Sequence, residues 1–153
     1  MKKDFGKQFR KFASALEKID AEKIYLDSVK KTESLALDLN RSQLYDQGID
    51  SSGKPLGKYS EGTKKQKAKK GQRSDHITLS DTFEFYDRMF IDTKKTPIFI
   101  ESKAEVAPIL LGKFPNALGL TSQSKEDYGK AVLIEYKHGV AKQIESLKEK
   151  ILS

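Results

Sequence analysis

The chain has 153 residues, of which 37% are hydrophobic and 33% charged, a balance that suits one small folded domain rather than a disordered chain. It contains no cysteine, which excludes disulfides, a thiol nucleophile and cysteine-ligated metals. No stretch approaches the roughly 20 apolar residues of a membrane span, and the first residues lack the apolar run of a signal peptide. We therefore expect a protein that folds in a cytoplasm and has no membrane partner.

The net charge of +7 is concentrated in one segment of the chain. Eight of the 29 basic residues lie within residues 54–73, together with one of the 22 acidic residues, which leaves 21 of each sign elsewhere. This pattern predicts either a solvated lysine-rich loop or a contact with nucleic acid or an acidic protein face. The candidate contact residues are Lys58, Lys64, Lys65, Lys67, Lys69, Lys70 and Arg73. Tyr59 is the only aromatic residue in this segment, so phosphate contact is better supported than base stacking.

Apolar periodicity predicts helices in residues 1–46. Phe5, Phe9 and Phe12 fall on one face of a first helix, and such a stripe suits either a core or an interface with a neighbouring subunit. Asp20 is expected to cap a second helix that ends before the turn signals around residue 48. A bend near Asp20 and one continuous helix are both compatible with the sequence.

Residues 47–75 are predicted to form an extended basic arm, whose first half is either a loose hairpin or an extended segment. Pro55 and Gly57 exclude a regular helix or a central strand in its first half. A short lysine-rich helix ended by Gly71 is expected in its second half. Like charges at helical spacing destabilise such a helix, so we expect it to order against a partner. We also expect that neutralising its lysines leaves the fold intact.

Residues 76–120 are predicted to contain the sheet. Two β-prone segments, 88–92 and 97–102, are separated by a connection of hairpin length, which predicts an antiparallel pair. Before them, a short helical turn is expected to point Phe83 and Tyr86 inward.

The last helix, in residues 121–153, has the clearest amphipathic pattern. Its apolar stripe comprises Tyr128, Val132, Tyr136, Val140, Ile144, Leu147 and Ile151. Thr121 or Ser122 is expected to cap it. Gly129 and Gly139 each weaken it by up to about 1 kcal/mol relative to alanine, and Gly139 permits a bend or a close helix approach.

These elements together predict the α+β class in a single domain. Long N- and C-terminal helices are expected to cover a small antiparallel sheet made from the middle of the chain. The sheet requires such a cover because an isolated hairpin is only marginally stable in water.

Side chains capable of catalysis or metal binding follow no pattern that defines a site. His76 and His138 lie far apart, and the neighbourhood of His76 and Asp75 is typical of a polar loop rather than of a catalytic triad. Asp75, Asp81 and Asp87 do not follow the spacing of a calcium-binding loop, and no phosphate-binding glycine motif occurs. We therefore expect no catalytic, metal or cofactor site and no enzymatic activity.

Short motifs follow one another through residues 63–121. They comprise Thr63 and Lys67; Leu79, Asp81 and Thr82; the hairpin; Ala107 and Gly112; and Leu118, Gly119, Leu120 and Thr121. Their order resembles the phage virion morphogenesis family, the tail-completion or head–tail joining proteins of tailed bacteriophages. In that family a T…K segment precedes an L-x-D-T-G motif, a two-stranded passage, a YA…G segment and an FLGLS entry to the last helix. Phe83 stands where the family has glycine, so we expect the local turn to avoid positive φ.

The resemblance implies a structural virion protein that completes the tail or joins head and tail. It implies an oligomeric ring, contacts with other neck or tail proteins, and a location in the virion and, during assembly, in the host cytoplasm. The motif residues Leu79, Asp81, Thr82, Gly112, Leu118 and Gly119 then have structural roles. The basic segment 64–73 leaves an alternative open, in which the chain is an accessory protein that contacts the DNA backbone without sequence specificity.

Overall fold

The structure is a computed structural model that describes residues 4–95 and 97–153. The predicted α+β class is confirmed, with long helices towards both ends and a small antiparallel sheet between them. The helices are α1 Phe5–Leu16, α2 Ala21–Lys31, α3 Glu33–Ser42, α4 Glu61–Lys69, α5 Glu84–Asp87, α6 Ala107–Lys113 and α7 Ser122–Leu152. The strands are β1 Met89–Asp92 and β2 Phe99–Ser102, and a π-helical turn, Gln43–Gln47, follows α3.

The chain groups into two compact units. The first unit takes the chain up to Thr32 together with Gly129–Ser153, and the second takes Glu33–Tyr128. The first unit therefore holds α1, α2 and most of α7, while the second holds α3 to α6 and the sheet.

The first two helices are separate, as the bend near Asp20 allowed. The Asp20 carboxylate accepts a hydrogen bond from the backbone N–H of Lys23 at 2.9 Å, which confirms the predicted cap. α1 carries the predicted phenylalanine stripe. Phe5 and Phe9 are 78% and 61% exposed, so neither ring belongs to a core within this chain.

α7 packs closely against α2 at one glycine. A Cβ built on Gly139 would lie 2.6 Å from Ile24 Cγ2, a distance that real Cβ contacts do not reach. The predicted close approach at Gly139 is therefore confirmed. The predicted stripe of α7 is its less exposed face, since Val132 is buried and the other members are half-buried.

The predicted second helix is interrupted at Thr32 and changes form after α3. The Thr32 hydroxyl donates to the carbonyl of Ser28 at 2.8 Å, and such a bond competes with the helical pattern of the backbone. After α3 the π turn ends at Gly48, whose φ of +65° is the left-handed conformation of a helix C-cap. A Cβ on Gly48 would lie 2.4 Å from Cδ2 of His76, so only glycine fits beneath this imidazole.

The sheet is the predicted antiparallel pair. Met89 of β1 lies opposite Ser102 of β2, and Asp92 lies opposite Phe99. α3 packs against β1, where the backbone N–H of Ile91 donates to the Glu33 carboxylate at 2.9 Å. The core of the second unit is formed by Leu37, Leu44, Leu56, Leu79, Phe85, Tyr86, Met89, Ala104, Ala107 and Ala117.

The segment predicted as an extended basic arm is folded into the second unit. Ile49 and Pro55 form an antiparallel bridge, and Leu56, only 9% exposed, belongs to the core. The lysine-rich helix α4 comes next and ends at Lys69, two residues before Gly71, which has a φ of +66°. The antiparallel bridge agrees with the hairpin alternative for the first half of the segment. The prediction of an extended arm is wrong because burial of Leu56 and of Lys67, which is 7% exposed, holds the segment in place.

One prediction in the sheet region also needs correction. Phe83 is 44% exposed instead of pointing inward, whereas Phe85, at 2%, takes the buried position and Tyr86 is buried as predicted. The reason is that Phe83 precedes α5 and does not share its buried face. Gly112 lies inside α6, which runs on to Lys113. Among the described residues, no helix combines the length and apolar character required to cross a membrane.

Candidate functional site

A groove in the second unit lies between α4, α6 and residues 77–85, a loop that runs into the first turn of α5 and is called the loop below. We call it the α4–α6 groove, and its volume is about 560 Å³. The α4 side is lined by Thr63, Gln66, Lys67 and Lys70, and the α6 side by Val106, Leu110, Lys113 and Phe114. The rest of the lining comes mainly from residues 79–85. The groove brings together two motif elements that the sequence analysis singled out, Thr63 and Lys67 with Leu79, Asp81 and Thr82.

α4 forms in spite of its lysines because local contacts offset their repulsion. The Ser60 side chain caps the helix by accepting from the Thr63 backbone N–H at 3.2 Å. Lys64 pairs with Glu61 at 2.7 Å in the first turn. These contacts belong to the chain itself, whereas the lysine spacing predicted that the helix would order against a partner.

Lys67 joins α4 to the loop. Its ammonium donates to the backbone carbonyl of Ser80 and, at 3.2 Å, to the Gln72 side chain, and it lies 5.0 Å from the centre of the Tyr59 ring. The fold was expected to survive neutralisation of these lysines because the segment contributes little to the core, and this reason does not hold for the buried Lys67. Removal of its ammonium would leave a carbonyl in a buried site without its donor.

The loop has an unusual backbone. Leu79 and Phe83 have φ values of +55° and +63°, the left-handed region that non-glycine residues rarely adopt. The expectation that the turn at Phe83 avoids positive φ is wrong. Tyr86 contacts the loop through its hydroxyl, which donates to the carbonyl of Thr78. Burial raises the pKa of this hydroxyl.

Ion pairs occupy several of the predicted contact residues. Lys70 donates to the Asp81 carboxylate at 2.8 Å, and this hydrogen bond lowers the pKa of Asp81. Arg73 donates to Asp75 at 2.7 Å, and this bond is the main reason that the pKa of the Asp75 carboxyl is lowered to about 2. Arg73 also lies 3.8 Å from Asp46.

The basic surface is therefore smaller than the sequence predicts. Lys67 is buried, and the ion pairs of Lys64, Lys70 and Arg73 partly neutralise the field that these side chains would present to a phosphate. Lys58, Lys65 and Lys69 are exposed and have no acidic partner among the residues that the structure describes. The structure does not gather the seven predicted contact residues into one open cationic face.

Two buried amides hold the motif residues at the entry to α7. Asn40 donates to the carbonyl of Ala117 at 3.0 Å and accepts from the Gly119 N–H at 3.1 Å. Gln43 donates to the Gly119 carbonyl at 3.0 Å and accepts from the Thr121 N–H at 2.9 Å. Both amides use a donor and an acceptor, so burial leaves neither end of the amide unpaired.

Asn40 and Gln43 were not predicted from the sequence to have a role. A signal was present, because Ala36, Asn40, Gln43 and Leu44 follow the spacing of one helix face, and all four are buried. Polar side chains on an apolar stripe indicate buried hydrogen-bonding partners, although the sequence does not say which ones.

The remaining motif residues have unequal roles. Ala107 is 3% exposed and belongs to the core. At Gly112 the space that a Cβ would fill is open, so no contact in the structure explains this glycine. Gly119 has a φ of +122° and lies against Ser51, which accounts for a residue without a Cβ.

The histidine in the second unit has a structural position. His76 Nε2 lies 2.8 Å from the carbonyl of Tyr45, and Nδ1 lies 3.0 Å from the Asp75 carboxylate. Both ring nitrogens therefore contact the fold rather than a nucleophile. Within residues 4–95 and 97–153, no three His, Asp or Glu side chains are grouped to hold a metal ion.

No family model, no curated protein and no solved structure matches the chain.

Proposed function

We propose that this chain is a structural subunit of a bacteriophage particle, which completes the tail or joins head and tail and acts as a ring through contacts between subunits. The observation that carries the proposal is the contact between two motif elements of the family that the sequence resembles. Lys67, in the first element, donates to the carbonyl of Ser80 inside the second, 13 residues further on. A motif order that also makes a spatial unit supports the resemblance better than the order alone.

The backbone of Phe83 supports the same proposal. The family motif has glycine at this position, and glycine adopts positive φ without the steric penalty of a Cβ. Phe83 has a φ of +63°. Phe83 therefore has the backbone conformation for which the motif glycine is suited. At this position the chain differs from the motif in its side chain but not in its backbone conformation.

An apolar surface at the ends of α1 and α7 supports action through contacts. Phe5, Phe9 and Phe12 line a cavity of about 220 Å³ together with Ile151 and Leu152. Phe5, Phe9 and Leu152 are each more than half exposed. Exposed apolar side chains grouped in this way are typical of a surface that another protein covers.

The proposal is tested by locating the chain in assembled particles. We expect this chain in purified virions, and we expect particles assembled without it to accumulate as separate heads and tails in electron micrographs. Absence of the chain from purified virions would contradict the proposal.

Matched variants of α1 test the role of its apolar surface. We expect the double variant Phe5→Ser and Phe9→Ser to fold, since both rings are exposed, yet to fail in restoring joined particles. Lys11→Ser, on the opposite face of the same helix, should restore them. If both variants restored joined particles equally well, the apolar face of α1 would not be part of the contact surface.

A further inference from the structure

We propose that the α4–α6 groove binds an extended, acidic segment of a partner polypeptide. This inference rests on the proposed function for one point only, that the occupant is a neighbouring protein chain. The chemistry of the occupant is argued from the hydrogen-bond donors, charges and shape of the groove.

The segment that lines the groove between α4 and α6 has backbone hydrogen-bond donors that this chain does not use. The backbone N–H groups of residues 79–85 find no acceptor among the described residues. All seven of these residues line the groove. Because backbone N–H groups in folded proteins are nearly always paired, acceptors must come from water or from a bound partner.

The carbonyl groups of the same loop are largely used within the chain. Lys67 donates to the carbonyl of Ser80, and the Gln72 side chain donates to the carbonyl of Asp81 at 2.6 Å. The loop therefore presents many free donors and few free acceptors. A ligand rich in acceptors, such as carboxylates and backbone carbonyls, fits this imbalance.

The charges at the groove favour an acidic ligand. Asp81 pairs with Lys70 at 2.8 Å and Glu84 pairs with Arg88 at 3.1 Å, so both acidic side chains of the groove are neutralised. Lys113 is exposed at the rim and has no acidic partner in the described part of the chain. The unpaired charge at the rim is therefore positive, which complements an acidic segment.

The shape of the groove favours a polypeptide over a small anion. Its volume of about 560 Å³ is in the range of sites that hold ligands larger than an ion. Leu110 and Phe114 supply apolar surface on one wall, and the exposed Phe83 ring adds to it. An extended chain that alternates acidic and apolar side chains would place both kinds at suitable positions, because successive side chains point to opposite faces.

The inference is tested with a library of random heptapeptides selected against the immobilised full-length protein. We expect the enriched sequences to carry Asp or Glu beside apolar residues. When the most enriched peptide is added to the ¹⁵N-labelled protein, the amide signals of residues 79–85 should shift, and its Asn and Gln counterpart should bind about tenfold more weakly or worse, a difference of about 1.4 kcal/mol.

Several outcomes would overturn the inference. These are a library that yields no enriched sequence, enriched sequences without acidic residues, and shifts that lie outside residues 79–85. Saturation of the same shifts by inorganic phosphate at equal concentration would indicate a plain anion site. Stronger binding of a single-stranded oligonucleotide than of the peptide would indicate a nucleic-acid site.

A pair of surface variants provides the control. We expect Lys113→Glu to weaken peptide binding at least about tenfold with an unchanged melting temperature, because this side chain is exposed. Lys125→Glu, an exposed lysine outside the groove, should leave binding unchanged. Peptide binding by the isolated protein and presence in the virion are separate measurements, so failure of this inference and failure of the proposed function are distinguishable.

Discussion

At the scale of single residues, Phe83 combines an unfavourable backbone with favourable ring contacts. A non-glycine residue in the left-handed region costs roughly 1–2 kcal/mol. The Phe83 ring lies 5.7 Å from the ring of Tyr45 and 6.1 Å from that of Tyr86, centre to centre. Aromatic pairs of this kind contribute about 0.5–1.5 kcal/mol each, which is enough to offset the backbone cost.

Substitutions at Phe83 separate the backbone from the ring. Both Phe83→Ala and Phe83→Gly remove the ring, but only glycine also removes the steric cost of positive φ. We expect the glycine variant to unfold at higher urea and to be more stable than the alanine variant by about 1 kcal/mol.

The control is Phe99, which is also exposed but lies in β2. There the order should reverse, with alanine more stable than glycine by roughly 0.5–1 kcal/mol. An alanine variant of Phe83 at least as stable as the glycine variant would show that the left-handed backbone is not strained.

The sequence does not reveal which aromatic residue of this loop is buried. Phe83, Phe85 and Tyr86 are close together, and the phase of a short helical turn depends on where it begins. That start is set by the left-handed residue Phe83, whose ring contacts Tyr86 in α5 and Tyr45, which is distant in the sequence. Periodicity contains no information about such a contact, so the prediction failed at Phe83 and did not identify Phe85 as buried.

At the scale of elements, the two glycines of α7 have different surroundings. Gly139 faces Ile24 of α2 so closely that a methyl group does not fit, whereas a Cβ at Gly129 would meet no atom within 4 Å. Helix propensity alone treats the two positions alike. Packing distinguishes them.

Alanine substitutions at these glycines should change stability in opposite directions. We expect Gly129→Ala to raise the free energy of unfolding by up to about 1 kcal/mol, through helix propensity. Gly139→Ala should lower it by roughly 1–3 kcal/mol, because the added methyl group forces α2 and α7 apart. Chemical denaturation of both variants checks the sign of each effect.

A compensating change identifies the cause at Gly139. Ile24→Ala removes the Cγ2 atom that the new methyl group would meet, so it should recover part of the loss when combined with Gly139→Ala. Strictly additive losses in the double variant would show that the helices do not meet as described.

The elements were predicted more successfully than their interruptions. The apolar stripe of α7, the cap at Asp20 and the paired strands arise from local pattern, and the structure has them. The break at Thr32 and the π turn after α3 were not predicted from apolar periodicity. The break depends on the side-chain hydrogen bond from Thr32 to Ser28. The π turn depends on the burial of Asn40 and Gln43, whose amides bond to distant partners.

At the scale of the whole molecule, the concentration of charge in one segment is weakened by pairing. The sequence places seven candidate cations in that segment, but the fold buries one and pairs three with carboxylates. The alternative function, contact with the DNA backbone, depends on the exposed remainder. The α4–α6 groove is lined by Lys67 and Lys70 but by none of the three exposed lysines.

We therefore expect weak binding of duplex DNA at physiological salt. Lys58, Lys65 and Lys69 provide few phosphate contacts. Each contact adds about −0.9 to the slope of the logarithm of the binding constant against the logarithm of the salt concentration. Fluorescence anisotropy with a labelled duplex should show that binding depends only weakly on salt. The dependence should be weaker still in the variant in which these three lysines are replaced by glutamine. A matched triple variant at Lys125, Lys142 and Lys150 should leave the slope unchanged.

Tight binding that survives roughly 0.2 M salt would contradict this expectation, since a few exposed lysines lose most of their affinity there. It would favour the alternative function over the proposed role in the particle.

The π turn, Gln43–Gln47, places a constraint on chain length as well as on residue type. It spans about one residue more per turn than an α-helix, and it brings Gly48 beneath the imidazole of His76. Deletion of any one residue between Leu44 and Gln47 would rotate the next part of the chain by about 100° and put a side chain where only glycine fits. Related chains that keep this imidazole should tolerate exchanges within the turn but neither insertions nor deletions.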